Sequence, residues 1–144
     1  GTLLQKSQTV LLTGNLGSGK TTLVQGIVQG WGSPDLVTSP SFVLMNEYRH
    51  PDRGIIFHVD AYRLDSQRPF DLEVLDLDRV LTEGILLVEW ADRIEDQLPR
   101  EHLLVEMFYL NPDQRHLIFT PKGKAYQTIT KKMQQALFGH WSLV

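Results

Sequence analysis

The chain has 144 residues, a length suited to one domain with a substantial hydrophobic core. Its 42% hydrophobic and 22% charged content is that of a soluble globular protein, and a formal charge of −3 argues against sequence-independent coating of nucleic acid as the main task. No apolar run approaches the roughly 20 residues of a membrane span, no signal peptide is evident and cysteine is absent, so no membrane role and a reducing, cytoplasmic location are expected.

The chain begins at Gly1 rather than methionine, and natural N-terminal residues are therefore expected to precede it. Thr2-Leu3-Leu4 is expected to end a helix, with Ser7-Gln8 turning into a first strand. That strand is the apolar run Val10-Leu11-Leu12. Directly after it comes Gly14-Asn15-Leu16-Gly17-Ser18-Gly19-Lys20-Thr21, followed by Thr22: glycine, four free positions, then glycine, lysine and a hydroxyl residue. Glycines let such a loop bend so that successive backbone N–H groups face phosphate oxygens. The helix that begins there offers unpaired N–H groups and its positive dipole end to the same anion. Lys20 can reach the outer phosphates, and the Thr21 hydroxyl can ligate magnesium. Leu23, Val24, Ile27, Val28 and Trp31 mark one face of this helix, which Gly30, Gly32 and Pro34 end.

Asp35 to Phe42 forms a polar loop rich in hydroxyl residues, either a nucleotide-sensing switch or a plain connector with local hydrogen bonds. Phe42–Tyr48 and Ile55–Tyr62 read as two strands of a hairpin around His50-Pro51-Asp52-Arg53-Gly54. In the second strand, alternation places Ile55, Phe57, Val59 and Ala61 on one face and His58, Asp60 and Tyr62 on the other. The polar set is a site or a solvated face. Asp65 to Leu81 is acidic and partly helical. Ile85-Leu86-Leu87-Val88 followed by Glu89 and Trp90 suits a parallel strand buried on both faces. A carboxylate at the end of such a strand is placed to hold magnesium or to polarise an attacking water. Asp92 to Asp96 is expected to form a helical turn ending near Pro99. His102–Leu110 and His116–Thr120 read as a second hairpin, and Ala125–Phe138 as a terminal helix. Lys122, Lys124, Lys131 and Lys132 form a modest basic cluster, a solvated surface or an RNA contact.

Taken together, the P-loop Gly14 to Thr22, the loop Thr38-Ser39-Pro40-Ser41-Phe42, the stretch His58-Val59-Asp60-Ala61-Tyr62-Arg63-Leu64 and Leu87-Val88-Glu89-Trp90 resemble the TsaE (YjeE) family. This is a family of small P-loop ATPases of bacterial tRNA threonylcarbamoyladenosine biosynthesis. The resemblance implies a single α/β domain over residues 1–144, a P-loop NTPase with a mixed parallel and antiparallel central sheet flanked by helices. It implies that Leu16, Gly17, Ser18, Gly19, Lys20, Thr21 and Thr22 hold the ATP phosphates and that Trp90 lies beside the nucleotide. Thr21 and Glu89 would ligate Mg2+, and Lys20, Asp60 and Glu89 would serve hydrolysis. Thr38, Ser39, Pro40 and Ser41 would form a switch loop. The implied partners are TsaB and TsaD, with tRNA reached indirectly through their complex. In that scheme the chain hydrolyses ATP, weakly alone and faster with its partners, to sustain turnover, and does not itself transfer the threonylcarbamoyl group. Asn15 stands where the family usually has aspartate, Ser41 where it has threonine, and the family's N-terminal segment is short here.

The alternative is a small-molecule kinase with a P-loop fold. Such an enzyme needs an acceptor pocket and usually an arginine-rich lid, whereas Arg49, Arg53, Arg63, Arg68, Arg79 and Arg93 are scattered. A GTPase switch would carry Asp-x-x-Gly and Asn-Lys-x-Asp sequences, and neither is present. A nucleotide-gated binding module with negligible turnover overlaps the main expectation.

Overall fold

The strands are β1 (Thr9–Thr13), β2 (Met45–His50), β3 (Gly54–Asp60), β4 (Gly84–Glu89), β5 (His102–Asn111) and β6 (Gln114–Lys122); the helices are α1 (Lys20–Trp31), α2 (Leu77–Glu83) and α3 (Lys124–Phe138). A computed structural model of the chain describes residues 1–40, 43–64 and 75–139. The strands form one six-stranded sheet in the order β2-β3-β4-β1-β5-β6. Strands β3, β4, β1 and β5 run parallel, and the hairpin partners β2 and β6 add an antiparallel strand at each edge. The mixed sheet expected from the sequence is the one found.

Alternation divides the core into two layers. Val10, Leu12, Ile56, Ile85, Leu87, Leu103 and Val105 face α1 and α3, meeting Val24, Val28, Trp31, Tyr126 and Ile129. Leu11, Phe57, Val59, Leu86 and Val88 face the opposite way, onto Val80 of α2 and onto Ala91, Ile94 and Leu98. Every residue of β4 is buried, which explains its unbroken run of apolar side chains. Gly84 opens β4 because a Cβ there would lie 2.2 Å from the Ile55 carbonyl oxygen and 2.8 Å from the Phe57 ring.

Arg53, at the turn between β2 and β3, donates to the Trp31 carbonyl at 2.7 Å and to the carbonyls of Thr2 and Leu4 at 3.1 and 3.2 Å. It thereby ties the exit of α1 to the start of the chain. Held this way, Thr2–Leu4 forms a turn closed by Leu4 N–H on the Gly1 carbonyl.

Some boundaries differ from expectation. Strand β2 starts at Met45, and β3 stops at Asp60. Tyr62 lies in a 3₁₀ turn, Ala61–Arg63, which Asp60 caps by accepting the Tyr62 N–H at 2.9 Å. A capping aspartate competes with strand extension, and here the cap wins. Trp90 leaves β4 in the left-handed region, with φ 56°, and starts a further 3₁₀ turn, Ala91–Arg93. Helix α2 spans the end of the acidic Asp65–Leu81 stretch and continues to Glu83. Ser41, Phe42 and residues 65–74, including that stretch's Phe70, Leu72 and Val74, lie outside the described residues, as does Arg68.

Candidate functional site

The loop between β1 and α1 is shaped by backbone crowding. Gly14 has φ 140°, and a Cβ there would stand 2.4 Å from the Met107 carbonyl oxygen, so only glycine passes β5 at this point. Helix α1 starts without a side-chain cap and with no acidic residue in its first turn. Its first N–H groups and the positive end of its dipole are thus uncompensated by the chain itself, the condition for binding an anion.

Lys20 is 5% exposed. Its Nζ donates to the carbonyls of Gly14 at 2.6 Å and Asn15 at 3.0 Å, and lies 3.8 Å from the centroid of the Trp90 ring. Burial lowers the Lys20 ammonium below its ordinary value of 10.5, while the charges of Glu89, Asp60 and Asp92 pull it back up. A charge held under such desolvation gains from any added anion.

Two carboxylates leave the sheet on the same side of this lysine. Asp60 and Glu89 are register partners on β3 and β4. Because β3 runs parallel to β4 as well as antiparallel to β2, Asp60 belongs to the carboxyl edge of the parallel sheet, where ligands of α/β proteins sit. Glu89 is 2% exposed and divides its oxygens: Oε2 accepts from Thr21 Oγ1 at 3.0 Å, and Oε1 faces His58 Nε2 at 2.8 Å.

A cleft of about 630 Å³ opens over this group. Leu16, Gly17, Gly19, Lys20, Thr21 and Thr22 line it from the loop and α1, Ser39 and Pro40 from the following loop, and Asp60, Tyr62 and Arg63 from the end of β3. Val43, Leu44, Glu89, Trp90 and Arg115 complete it. Leu16 is 84% exposed at its rim.

Two of the residues expected in the site do not line the cleft with their side chains. Ser18 is fully buried beneath the loop, with its Oγ 3.4 Å from Lys20 Nζ, so its side chain is turned away from the cleft. Thr38 does not line the cleft; its carbonyl accepts from Asn46 Nδ2 and from the Tyr48 hydroxyl, each at 3.1 Å. Ser41 is outside the described residues.

The face of β3 that carries His58 and Asp60 is not solvated. His58 is completely buried, and its Nδ1 lies 3.1 Å from the hydroxyl of Tyr48, a residue that sequence reasoning left unmarked. Arg115 was missed as well. It reaches the cleft from β6, donating through Nε to the Ser18 carbonyl at 3.2 Å and packing over the Tyr109 ring. No local pattern marks an arginine on an edge strand; only the β5–β6 register brings it beside the P-loop. Lys124, Lys131 and Lys132 are exposed on α3, and Lys122 pairs with Glu95 at 3.9 Å.

Residues 1–117 match the sequence model of the family described as threonylcarbamoyl adenosine biosynthesis protein TsaE. The chain belongs to the TsaE family. The tRNA threonylcarbamoyladenosine biosynthesis protein TsaE of Bacillus subtilis is 35% identical over 127 residues, covering 86% of this chain and 76% of that protein. Its counterpart in Streptomyces coelicolor is 36% identical over 133 residues, covering 88% of each. Among solved structures, the crystal structure of Bacillus subtilis YdiB aligns with a TM-score of 0.72 at 32% identity, over 90% of this chain and 78% of that one. The TsaE fold and the P-loop cleft therefore occur together in this chain.

Proposed function

We propose that this TsaE-family chain binds and hydrolyses ATP with Mg2+ in the cytoplasm, driving tRNA threonylcarbamoyladenosine formation through a TsaB–TsaD dimer. The observation that carries this reading is the 3.0 Å contact between Thr21 of the P-loop helix and Glu89 at the end of β4. It joins the phosphate-binding loop to the carboxyl edge of the sheet through two oxygen donors.

Those donors fit magnesium. Neighbouring ligands of an octahedral ion with arms of about 2.1 Å stand roughly 3.0 Å apart, the separation seen here. Among the described residues there is no group of three or more His, Cys, Asp or Glu that could hold a metal. That also suits an ion usually held by one or two protein oxygens plus substrate phosphates. Thr21 and Glu89 would hold it, and the bound ion would neutralise charge on the outer phosphates.

The rest of the chemistry falls to the chain. The backbone of Leu16 to Thr21 and the open N-terminus of α1 bind the phosphates. Lys20 exchanges the carbonyls of Gly14 and Asn15 for phosphate oxygens and so leaves the Trp90 ring. Asp60, half-buried beside Glu89, accepts a hydrogen bond from the attacking water and takes its proton as the water oxygen bonds to the γ-phosphorus in line with the β–γ bridging oxygen, so that ADP leaves and inorganic phosphate forms. Arg63 and Arg115 supply positive charge from two sides of the cleft.

Among the described residues no helix is long and apolar enough to cross a membrane, which is compatible with the proposed location. The test is ATP hydrolysis with and without a purified TsaB–TsaD dimer. A slow rate alone and a clear rise with the dimer are expected; an unchanged rate would remove the partner assignment.

A further inference from the structure

A polar line runs from the proposed magnesium donors Thr21 and Glu89 away from the cleft on the α1 side of the sheet, through the buried His58 and Tyr48. Asn46, Tyr48, His58 and Glu89 share this face because Asn46 pairs with His58, and Tyr48 with Ile56, across β2 and β3. From the cleft outward the contacts are Thr21 to Glu89 at 3.0 Å, Glu89 to His58 at 2.8 Å, His58 to Tyr48 at 3.1 Å and Tyr48 to the Thr38 carbonyl at 3.1 Å. The line thus joins the P-loop helix to the loop ahead of β2.

Its hydrogens can be counted. A carboxylate only accepts, so a neutral His58 ring places its single proton on Nε2, facing Glu89 Oε1 at 2.8 Å. In that tautomer Nδ1 is an acceptor. The Tyr48 hydroxyl has a single hydrogen, yet two acceptors stand at the same 3.1 Å: His58 Nδ1 and the Thr38 carbonyl. Only one of them is served at a time. Asn46 Nδ2 provides a second donor to the Thr38 carbonyl, whereas among the described residues no donor other than Tyr48 reaches His58 Nδ1. His58 and Tyr48 are 0% and 3% exposed, so water does not fill the shortfall.

We propose that His58 is a positioning residue for Glu89, and that the contested Tyr48 proton makes its hold depend on the loop at 36–40. When Thr38 draws away, the Tyr48 proton commits to Nδ1. This fixes the His58 ring and tautomer, pins Glu89 Oε1 and leaves Oε2 aimed at Thr21. When Thr38 stays close, it takes the proton, and the imidazole is held from one side only. The inference rests on the proposed role of Glu89 in nucleotide hydrolysis, but its mechanics exist in the nucleotide-free chain.

The test uses hydrogen–deuterium exchange of residues 36–40 without nucleotide, in Tyr48→Phe and His58→Gln. Phenylalanine keeps the ring and removes the contested proton, so exchange in the loop should rise about fivefold, the weight of one ordinary hydrogen bond. Glutamine sets its amide N–H where Nε2 stands and leaves no acceptor where Nδ1 stands, so the Tyr48 proton passes to Thr38 and exchange should slow by a similar factor. Opposite signs support the coupling. Acceleration in both variants, or no change in Tyr48→Phe, overturns it. Should His58→Gln fail to fold, the 15N shift of His58 Nδ1 decides: it must move in Tyr48→Phe while Nε2 stays protonated, and an unmoved Nδ1 overturns the proposal. With ATP, Tyr48→Phe should lower kcat with KM within about twofold, because phosphate binding is untouched; a rise in KM at unchanged kcat overturns it. If the wild-type chain hydrolyses no ATP, the proposed hydrolytic function fails, and the exchange result still stands.

Discussion

Asp60 and Glu89 are register partners on adjacent parallel strands, so two carboxylates emerge side by side at the carboxyl edge of the sheet. Their surroundings differ. Glu89 is buried between Thr21 and His58, while Asp60 is half-buried and uses one oxygen to cap the turn at Ala61–Arg63. The two acids therefore separate by substitution. Asp60→Asn keeps an acceptor for the Tyr62 N–H and removes only the charge. It should leave thermal stability nearly unchanged and lower ATP hydrolysis by about ten- to a hundredfold. Glu89→Gln should lower hydrolysis at least as far and weaken the magnesium dependence of nucleotide binding, measured by titrating Mg2+ at fixed ATP.

Lys20→Ala removes the one side-chain cation buried in the loop. Loss of a charged hydrogen bond of about 1.5–3 kcal/mol should weaken ATP binding roughly ten- to a hundredfold. Stability should not fall, because desolvation already disfavours this ammonium in the folded chain. Binding titrations and melting curves on the same variant check both halves.

The lowered Lys20 value also fixes a pH dependence. Phosphates favour the charged lysine, so nucleotide binding raises its pKa and takes up a proton at pH values between the free and bound values. Affinity should therefore fall as pH rises through the lowered pKa, which lies below 10.5. Over the span between that lowered value and 10.5 the unfolded chain holds more protons than the folded one, so this group's contribution to stability rises with pH. Calorimetry in two buffers of different ionisation enthalpy detects the uptake, and the Lys20→Ala variant should lack it.

Away from the cleft, the Tyr126 hydroxyl accepts the buried Thr9 N–H at 2.8 Å, joining α3 to the first residue of β1. Burial raises the Tyr126 phenol above its ordinary value of 10.0, which keeps it protonated at neutral pH. Tyr126→Phe strands the Thr9 N–H and should cost about 1–3 kcal/mol of stability. Denaturant titration measures the loss; ATP hydrolysis under folding conditions should be unchanged.

Local chemistry was enough for much of this architecture. The spacing of Leu23, Val24, Ile27, Val28 and Trp31 marked the buried face of α1, and the run before Glu89 marked a strand buried on both faces. Turn chemistry likewise revealed both hairpins. Boundaries set by competition were not legible. Whether Asp60 extends a strand or caps a turn depends on its neighbours in space, and Trp90 adopts a left-handed backbone that its type does not favour.

The P-loop pattern, with Lys20 and Thr21, is legible in the sequence alone, because it needs those residue types at fixed short spacing and that spacing survives in one dimension, while Glu89 was marked only by the apolar run before it. What the tertiary structure decided is long-range. The parallel pairing of β3 with β4 sets Asp60 beside Glu89, the β5–β6 register brings Arg115 to the cleft, and the shared sheet face lines up Tyr48, His58 and Glu89. Register across strands far apart in the chain is set by packing of the whole core, and no local run of residues encodes it.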